Sequence, residues 1–134
     1  MKFRPCIDIH NGCVKQIVGG SLADKNSAAD ENFVSEYGGG YYAELYKSRG
    51  LSGGHIIILN PAGSEYYEAD RRQAFSALEK YPMGLQIGGG VNVDNAAEYI
   101  SHGASHVIVT SYVFKDGEIS FERLEKLCSA VGKD

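Results

Sequence analysis

The sequence predicts an α/β protein of four strand–helix units in series, half the number that closes a parallel barrel. Three observations lead there. Short β-branched runs alternate with helix-length periodic segments. The run His55-Ile56-Ile57-Ile58-Leu59 is apolar almost throughout, as in parallel strands covered on both faces. Glycine clusters at Gly19-Gly20, Gly38-Gly39-Gly40, Gly53-Gly54 and Gly88-Gly89-Gly90 punctuate the junctions.

The first strand is expected over Phe3 to Ile9, ending at Asn11-Gly12, a tight-turn signal. Val14 to Val18 alternates as a short strand turning back from it. Gly19 to Tyr37 is polar and irregular, the length and character of a lid or binding loop, with plain disorder as the alternative. Tyr41, Tyr42, Leu45 and Tyr46 mark a first helix with an aromatic stripe expected to pack in the core. The apolar strand from His55 follows, then a helix from about Glu65 to Lys80 that buries Tyr67, Ala74, Phe75 and Leu78. Gly84 to Ile87 is a short third strand running into the glycine triplet. The third helix opens directly after it, with Asn92 as N-cap, Ala96, Ala97 and Ile100 buried, and Gly103 just past its end. A strand over His106 to Thr110 echoes the one at His55, a faint internal repeat. In the last helix Ser120 is the N-cap, Phe121, Leu124, Leu127, Cys128 and Val131 form the buried face, and Gly132 closes it.

Residues 1–134 are thus read as one domain, the N-terminal half of a TIM-type (βα)8 barrel that is apparently truncated. Four units leave edge strands with unpaired backbone groups, which something else must cover.

Composition sets outer limits. Hydrophobic content of 43% and charged content of 22% are ordinary for a globular domain. No apolar run reaches the roughly 20 residues of a membrane span, and the start lacks a secretory signal, so a cytoplasmic location is expected. Three cysteines without C-x-x-C spacing suggest neither a disulfide framework nor a zinc site; Cys6 and Cys128 are expected to be small buried hydrophobes. A net charge of −4 argues against broad nucleic-acid binding. It leaves room for an anionic small molecule, because backbone amides hold phosphate without a basic surface.

In parallel β/α folds ligands sit at the C-terminal ends of the strands. Asp8 occupies that place after the first strand, as a general base or acid, or else as a carboxylate capping the Asn11-Gly12 turn. Gly88, Gly89 and Gly90 follow the third strand, where the backbone can approach an anion closely. Thr110 and Ser111 end the neighbouring strand and can share that phosphate pocket, although both residue types are common in any strand-end turn. His10 either lines the pocket or lies on the surface, and His55 and His106 are read as structural. No histidine pair has metal spacing, and neither a Ser-His-Asp set nor a P-loop is present.

At these residues the chain resembles a known family. Cys6 to Gly12, Val14 to Gly20, Asn32-Phe33-Val34-Ser35, Tyr41-Tyr42-Ala43, Leu45-Tyr46-Lys47, Gln86 to Gly90 and Val107 to Ser111 look like the histidine-biosynthesis isomerases, in order along nearly the whole chain. These are phosphoribosylformimino-5-aminoimidazole carboxamide ribotide isomerases, and the likeness is to the eukaryotic type. The resemblance implies an eight-unit barrel and a bis-phosphorylated small-molecule substrate. It implies an Amadori rearrangement of aminoaldose to aminoketose without a cofactor. Asp8 would be the general base acting at C2. A second aspartate, assisting ring opening as general acid, belongs at the end of the fifth strand, beyond Lys133-Asp134. Gly88, Gly89, Gly90, Thr110 and Ser111 match the first-half phosphate site. By itself the chain is expected to be inactive, with a missing C-terminal half-barrel or a second copy covering the sheet edges; the alternative is a non-catalytic half-barrel that binds phosphorylated metabolites.

Two positions depart from many bacterial members. Val91-Asn92 follows the triplet where an Arg is common, and Leu59-Asn60-Pro61 replaces an acidic strand end. A sister cyclase, the subunit of imidazole glycerol phosphate synthase, also opens with Pro-Cys-x-Asp. Its essential lysine falls eight residues past the aspartate, where this chain has Gln16. Lys15 is adjacent, and one residue along a strand turns the side chain to the other face.

Overall fold

The computed structural model describes residues 1–17 and 31–133. Val18 and most of the expected lid lie outside the described residues, as does Asp134. The chain forms an α/β fold around a five-stranded mixed sheet of order β3-β2-β1-β4-β5. Its strands are β1 (Cys6–His10), β2 (Cys13–Ile17), β3 (Glu31–Val34), β4 (Gly54–Ile58) and β5 (Leu85–Gly88). The helices are α1 (Gly39–Ser48), α2 (Tyr67–Lys80), α3 (Ala96–Ser101) and α4 (Phe121–Val131). A 3₁₀ turn over Ser111–Val113 and a two-stranded ribbon, β6 (Phe114–Lys115) with β7 (Glu118–Ile119), precede α4.

Asn11 and Gly12 both take positive φ, 52° and 77°, the requirement of a two-residue hairpin turn. They join β1 to antiparallel β2, with His10 opposite Cys13. β1, β4 and β5 run parallel. The stretch read as a lid is in part a strand, because β3 pairs antiparallel with β2, Lys15 opposite Val34 and Gln16 opposite Phe33.

Strand alternation separates two faces. Ile7, Ile9, Ile56, Ile58, Leu85 and Ile87 are buried against Ala43, Ala74, Ala77, Leu78, Ala96 and Tyr99 of the helices. Small residues let α1 approach α2: a Cβ on Gly39 would stand 2.7 Å from the Gln73 carbonyl oxygen. The other face carries Cys6, Asp8, His10, His55, Ile57 and Gln86, all partly or wholly exposed. The expectation that β4 is covered on both faces therefore fails: no layer of described residues lies over its second face.

The predicted fourth strand also differs. Residues 105–108 bond to β5 in parallel, Ser105 N–H to the Leu85 carbonyl and Ile108 N–H to that of Ile87. Only one bridge forms, Ile87 to Val107.

Helix faces are corrected in detail. In α1 the buried residues are Gly39, Gly40 and Ala43, while Tyr41 and Leu45 are exposed and Tyr42 and Tyr46 half-buried. Only half of the stripe packs on the core, Tyr42 and Tyr46 flanking it while Tyr41 and Leu45 lie outside, because close contact with α2 selects the small face. Tyr67 and Phe75 are half-buried, whereas Asp70 and Ala77 join Ala74 and Leu78 inside. α3 buries Ala96 and Tyr99 but leaves Ala97 exposed and Ile100 half-buried. In α4 Ser120 caps as expected, yet only Leu127 is buried; Phe121 and Leu124 face outward.

Candidate active site

The β1 carboxylate lies at a pocket of about 250 Å³ lined by Cys6, Asp8, Val14, Lys15, Gln16, Phe33, Tyr42 and Tyr46. Three elements build it: β1 supplies the acid, the β2–β3 hairpin one wall, and α1 the tyrosines. Cys6 and Asp8, two apart on a strand, share a face. The Cys6 thiol donates to Asp8 Oδ1 at 2.8 Å. Partial burial pushes the thiol well above its ordinary value, and the accepting carboxylate and its charge add to the shift. The thiol is therefore a held proton donor, not a nucleophile. Burial likewise raises the Tyr46 phenol, with Tyr42, Cys6 and Asp8 contributing. Cys6 is exposed and Cys128 half-buried, so neither is the buried hydrophobe expected.

Lys15 and Gln16 both line this pocket, in a strand whose register shifts after Gln16. The argument that Lys15 must face away from the site does not hold. His10 is not among the lining residues; it is half-buried, and its Nδ1 has no partner.

Asp8 does not cap the turn. That work falls to residues the sequence reading passed over. Asn11 N–H donates to Asn60 Oδ1 at 2.7 Å, and Asn60 Nδ2 returns a bond to Asn11 Oδ1 at 2.9 Å. Gly12 N–H donates to Asp70 Oδ1 at 2.6 Å, and Gln73 Nε2 donates to the Gly12 carbonyl at 3.1 Å. Gln73 Oε1 also accepts from Gly39 N–H, so one α2 side chain ties the hairpin to α1. Asp70 was detectable: it falls on the 67-70-74-77 phase of α2, a polar residue on a buried face.

The glycine triplet occupies the same end of the sheet, two strands from Asp8. Gly89 and Gly90 have φ of 93° and 68°. A Cβ on Gly88 would press on Ile57 and Ile108, and one on Gly89 would stand 2.0 Å from the Ile58 carbonyl oxygen. Packing thus accounts for both. Gly90 has nothing within 4 Å and opens on free space. The triplet does not lead directly into a helix. Residues 91–95 intervene, held by Asn95 Oδ1 accepting from Asn92 N–H and by Asn92 Oδ1 accepting from Asp94 N–H. Asn92 therefore caps a turn, and α3 is only 6 residues long. Thr110 and Ser111 are exposed, just beyond Ile108, the neighbour of Gly88.

Asp8 is the middle residue of β1 and not its end, because the strand runs on to His10. A mixed β/α sheet with that carboxylate in β1 and a glycine turn after β5 defines a class: α/β proteins that gather their chemistry toward the C-terminal strand ends. Within that class the chain belongs to the histidine biosynthesis protein family, whose model matches residues 2–134. It is 50% identical to the chloroplastic 1-(5-phosphoribosyl)-5-((5-phosphoribosylamino)methylideneamino) imidazole-4-carboxamide isomerase of Medicago truncatula, over 100% of this chain and 43% of that protein. Isomerases of the same name from Yarrowia lipolytica and Saccharomyces cerevisiae are 49% and 46% identical, over 94% and 99% of this chain. The matches cover 45% and 49% of those proteins, so the chain spans about half the length of the curated relatives it matches. Among the described residues no helix is long and apolar enough to cross a membrane. One relative is named as chloroplastic, so the likeness does not single out the cytoplasm.

Proposed function

We propose that this chain supplies the first four units of a (βα)8-barrel isomerase. The reaction is the Amadori conversion of a bis-phosphorylated aminoaldose to the aminoketose. The observation that carries the reading is Asp8, midway along β1 and level with Gly88 of β5, in a pocket on the uncovered face, in a chain half identical to named isomerases. Asp8 removes the C2 proton as general base. One phosphate of the substrate is held at Gly88 to Gly90 with Thr110 and Ser111. Its amide donors do not include those of Asn92 and Asp94, which already bond to side chains. A second half, with its own acid and phosphate site, covers the other sheet face and both edges, as a continuation, a partner chain or a second copy.

The test is turnover of the aminoaldose by the chain alone and by the chain mixed with a C-terminal half from a relative. The mixture is expected to turn over and the chain alone to stay far below about 1 s⁻¹. Ordinary turnover by the chain alone overturns the half-barrel reading. In the mixture, Asp8→Asn is expected to cost about 10²–10⁴ in kcat; an unchanged rate removes Asp8 from the chemistry.

A further inference from the structure

We infer that Cys6 is a positioning residue for Asp8: its thiol holds one carboxylate oxygen and leaves the other to exchange the proton. The inference rests on the reading of Asp8 as the base.

The geometry carries it. Cys6 and Asp8 project from the same face of β1, and Sγ lies 2.8 Å from Oδ1. A carboxylate has two equivalent oxygens and free rotation about its last bond. A proton-transfer group needs one of them aimed, and a donor on Oδ1 fixes the plane so that Oδ2 takes the proton.

The donor is itself anchored. Parallel pairing sets Cys6 opposite His55, the His55 N–H donates to the Pro5 carbonyl at 3.0 Å, and the Tyr46 hydroxyl approaches the Cys6 carbonyl at 3.4 Å. Phe33, Tyr42 and Tyr46 line the pocket beside the thiol–carboxylate bond. The thiol is held toward its protonated form chiefly by desolvation, with the bond to Asp8 and then the Asp8 charge adding to it.

The pairing is tested on the chain itself by alkylation with iodoacetamide, following each cysteine by peptide mass. The midpoint of Cys6 alkylation against pH is expected above the ordinary thiol value of about 8.5. A midpoint at or below it overturns the pairing. In Asp8→Asn, Cys6 is expected to react about 10-fold faster at fixed pH, as one unit of thiol pKa requires. Cys13 and Cys128, unchanged, report an intact fold; an unchanged Cys6 beside them also overturns the pairing.

The positioning role is read in the two-half mixture. Cys6→Ala is expected to lower kcat about 10-fold, the worth of one hydrogen bond, with KM within about 2-fold. Cys6→Ser, which keeps a donor, recovers most of the loss. An Ala variant with full kcat overturns the role. The two readings fail separately: unchanged turnover in Asp8→Asn removes the base and leaves the alkylation result standing. An uncoupled Cys6 removes the positioning whatever Asp8 does.

Discussion

Three consecutive glycines look alike in the sequence and do three different things in the structure. Gly88 is fitted between Ile57 and Ile108, and Gly89 against the β4 backbone, while Gly90 borders open space with φ of 68°. Gly89→Ala combines a positive φ with a collision at the Ile58 carbonyl and is expected to cost about 3 kcal/mol or more in stability. Gly90→Ala has the φ penalty alone, about 1–2 kcal/mol. Denaturant midpoints of the two variants check this, and similar losses at both would mean that Gly90 is packed too. If Gly90 lies at the phosphate, its Ala variant also raises KM in the two-half mixture, which a purely conformational glycine would not do.

At the scale of elements, the β1–β2 hairpin is held by α2 more than by its own turn. Asp70 is fully buried, with Oδ1 on the Gly12 amide and Oδ2 without a partner. Asp70→Ala leaves that amide unsatisfied and is expected to cost about 1–3 kcal/mol in urea denaturation. Burial raises the Asp70 carboxyl above its ordinary value, outweighing the Gly12 amide, His10 and Lys15, which pull it down. The fold therefore prefers the protonated acid. That stabilisation is complete below the unfolded carboxylate value of about 4 and is lost as pH rises through the higher folded value. Relative to Asp70→Asn, which carries no charge, the unsubstituted chain is expected to lose stability as pH rises above about 4. A difference that stays constant over that range would show that burial is not what the carboxyl feels. The α1 tyrosines belong to this scale as well. Tyr37 stacks on Tyr41 at 4.2 Å outside the core, while Tyr42 and Tyr46 wall the pocket.

For the molecule as a whole, the decisive property is asymmetry. One sheet face is sealed by helices, and the other exposes Cys6 and leaves Asp8, His55 and Gln86 half-covered. Phe121 and Leu124 of α4 and Phe114 and Ile119 of the ribbon are exposed too. Apolar surface and strand edges of this kind favour association. The solution mass of the chain, with and without a separately made C-terminal half, is expected to show self-association alone and a one-to-one pair in the mixture. A well-ordered monomer indifferent to the added half would refute the half-barrel proposal.

The sequence alone determined the order of the four helices and of β1, β2, β4 and β5, the Asn11-Gly12 hairpin and the family, but not β3 or the β6–β7 ribbon. Those depend on local signals: periodicity, turn chemistry, and motifs read within a few residues. It placed Asp8 at a strand end, whereas β1 runs two residues further, to His10. Tertiary structure decided which side of each element is inside. Tyr41 and Leu45 obey helical periodicity yet lie exposed, because α1 meets α2 through glycine and alanine, and the contact distance lies with the partner helix. Segment 106–110 has the composition of a strand and makes only one bridge, to Ile87. The links from Asp70 and Gln73 to Gly12 cross 58 and 61 residues of chain, and the Cys6 thiol on Asp8 depends on how the strand is seated. Such pairings depend on where the backbone places its groups in space, which no local pattern encodes.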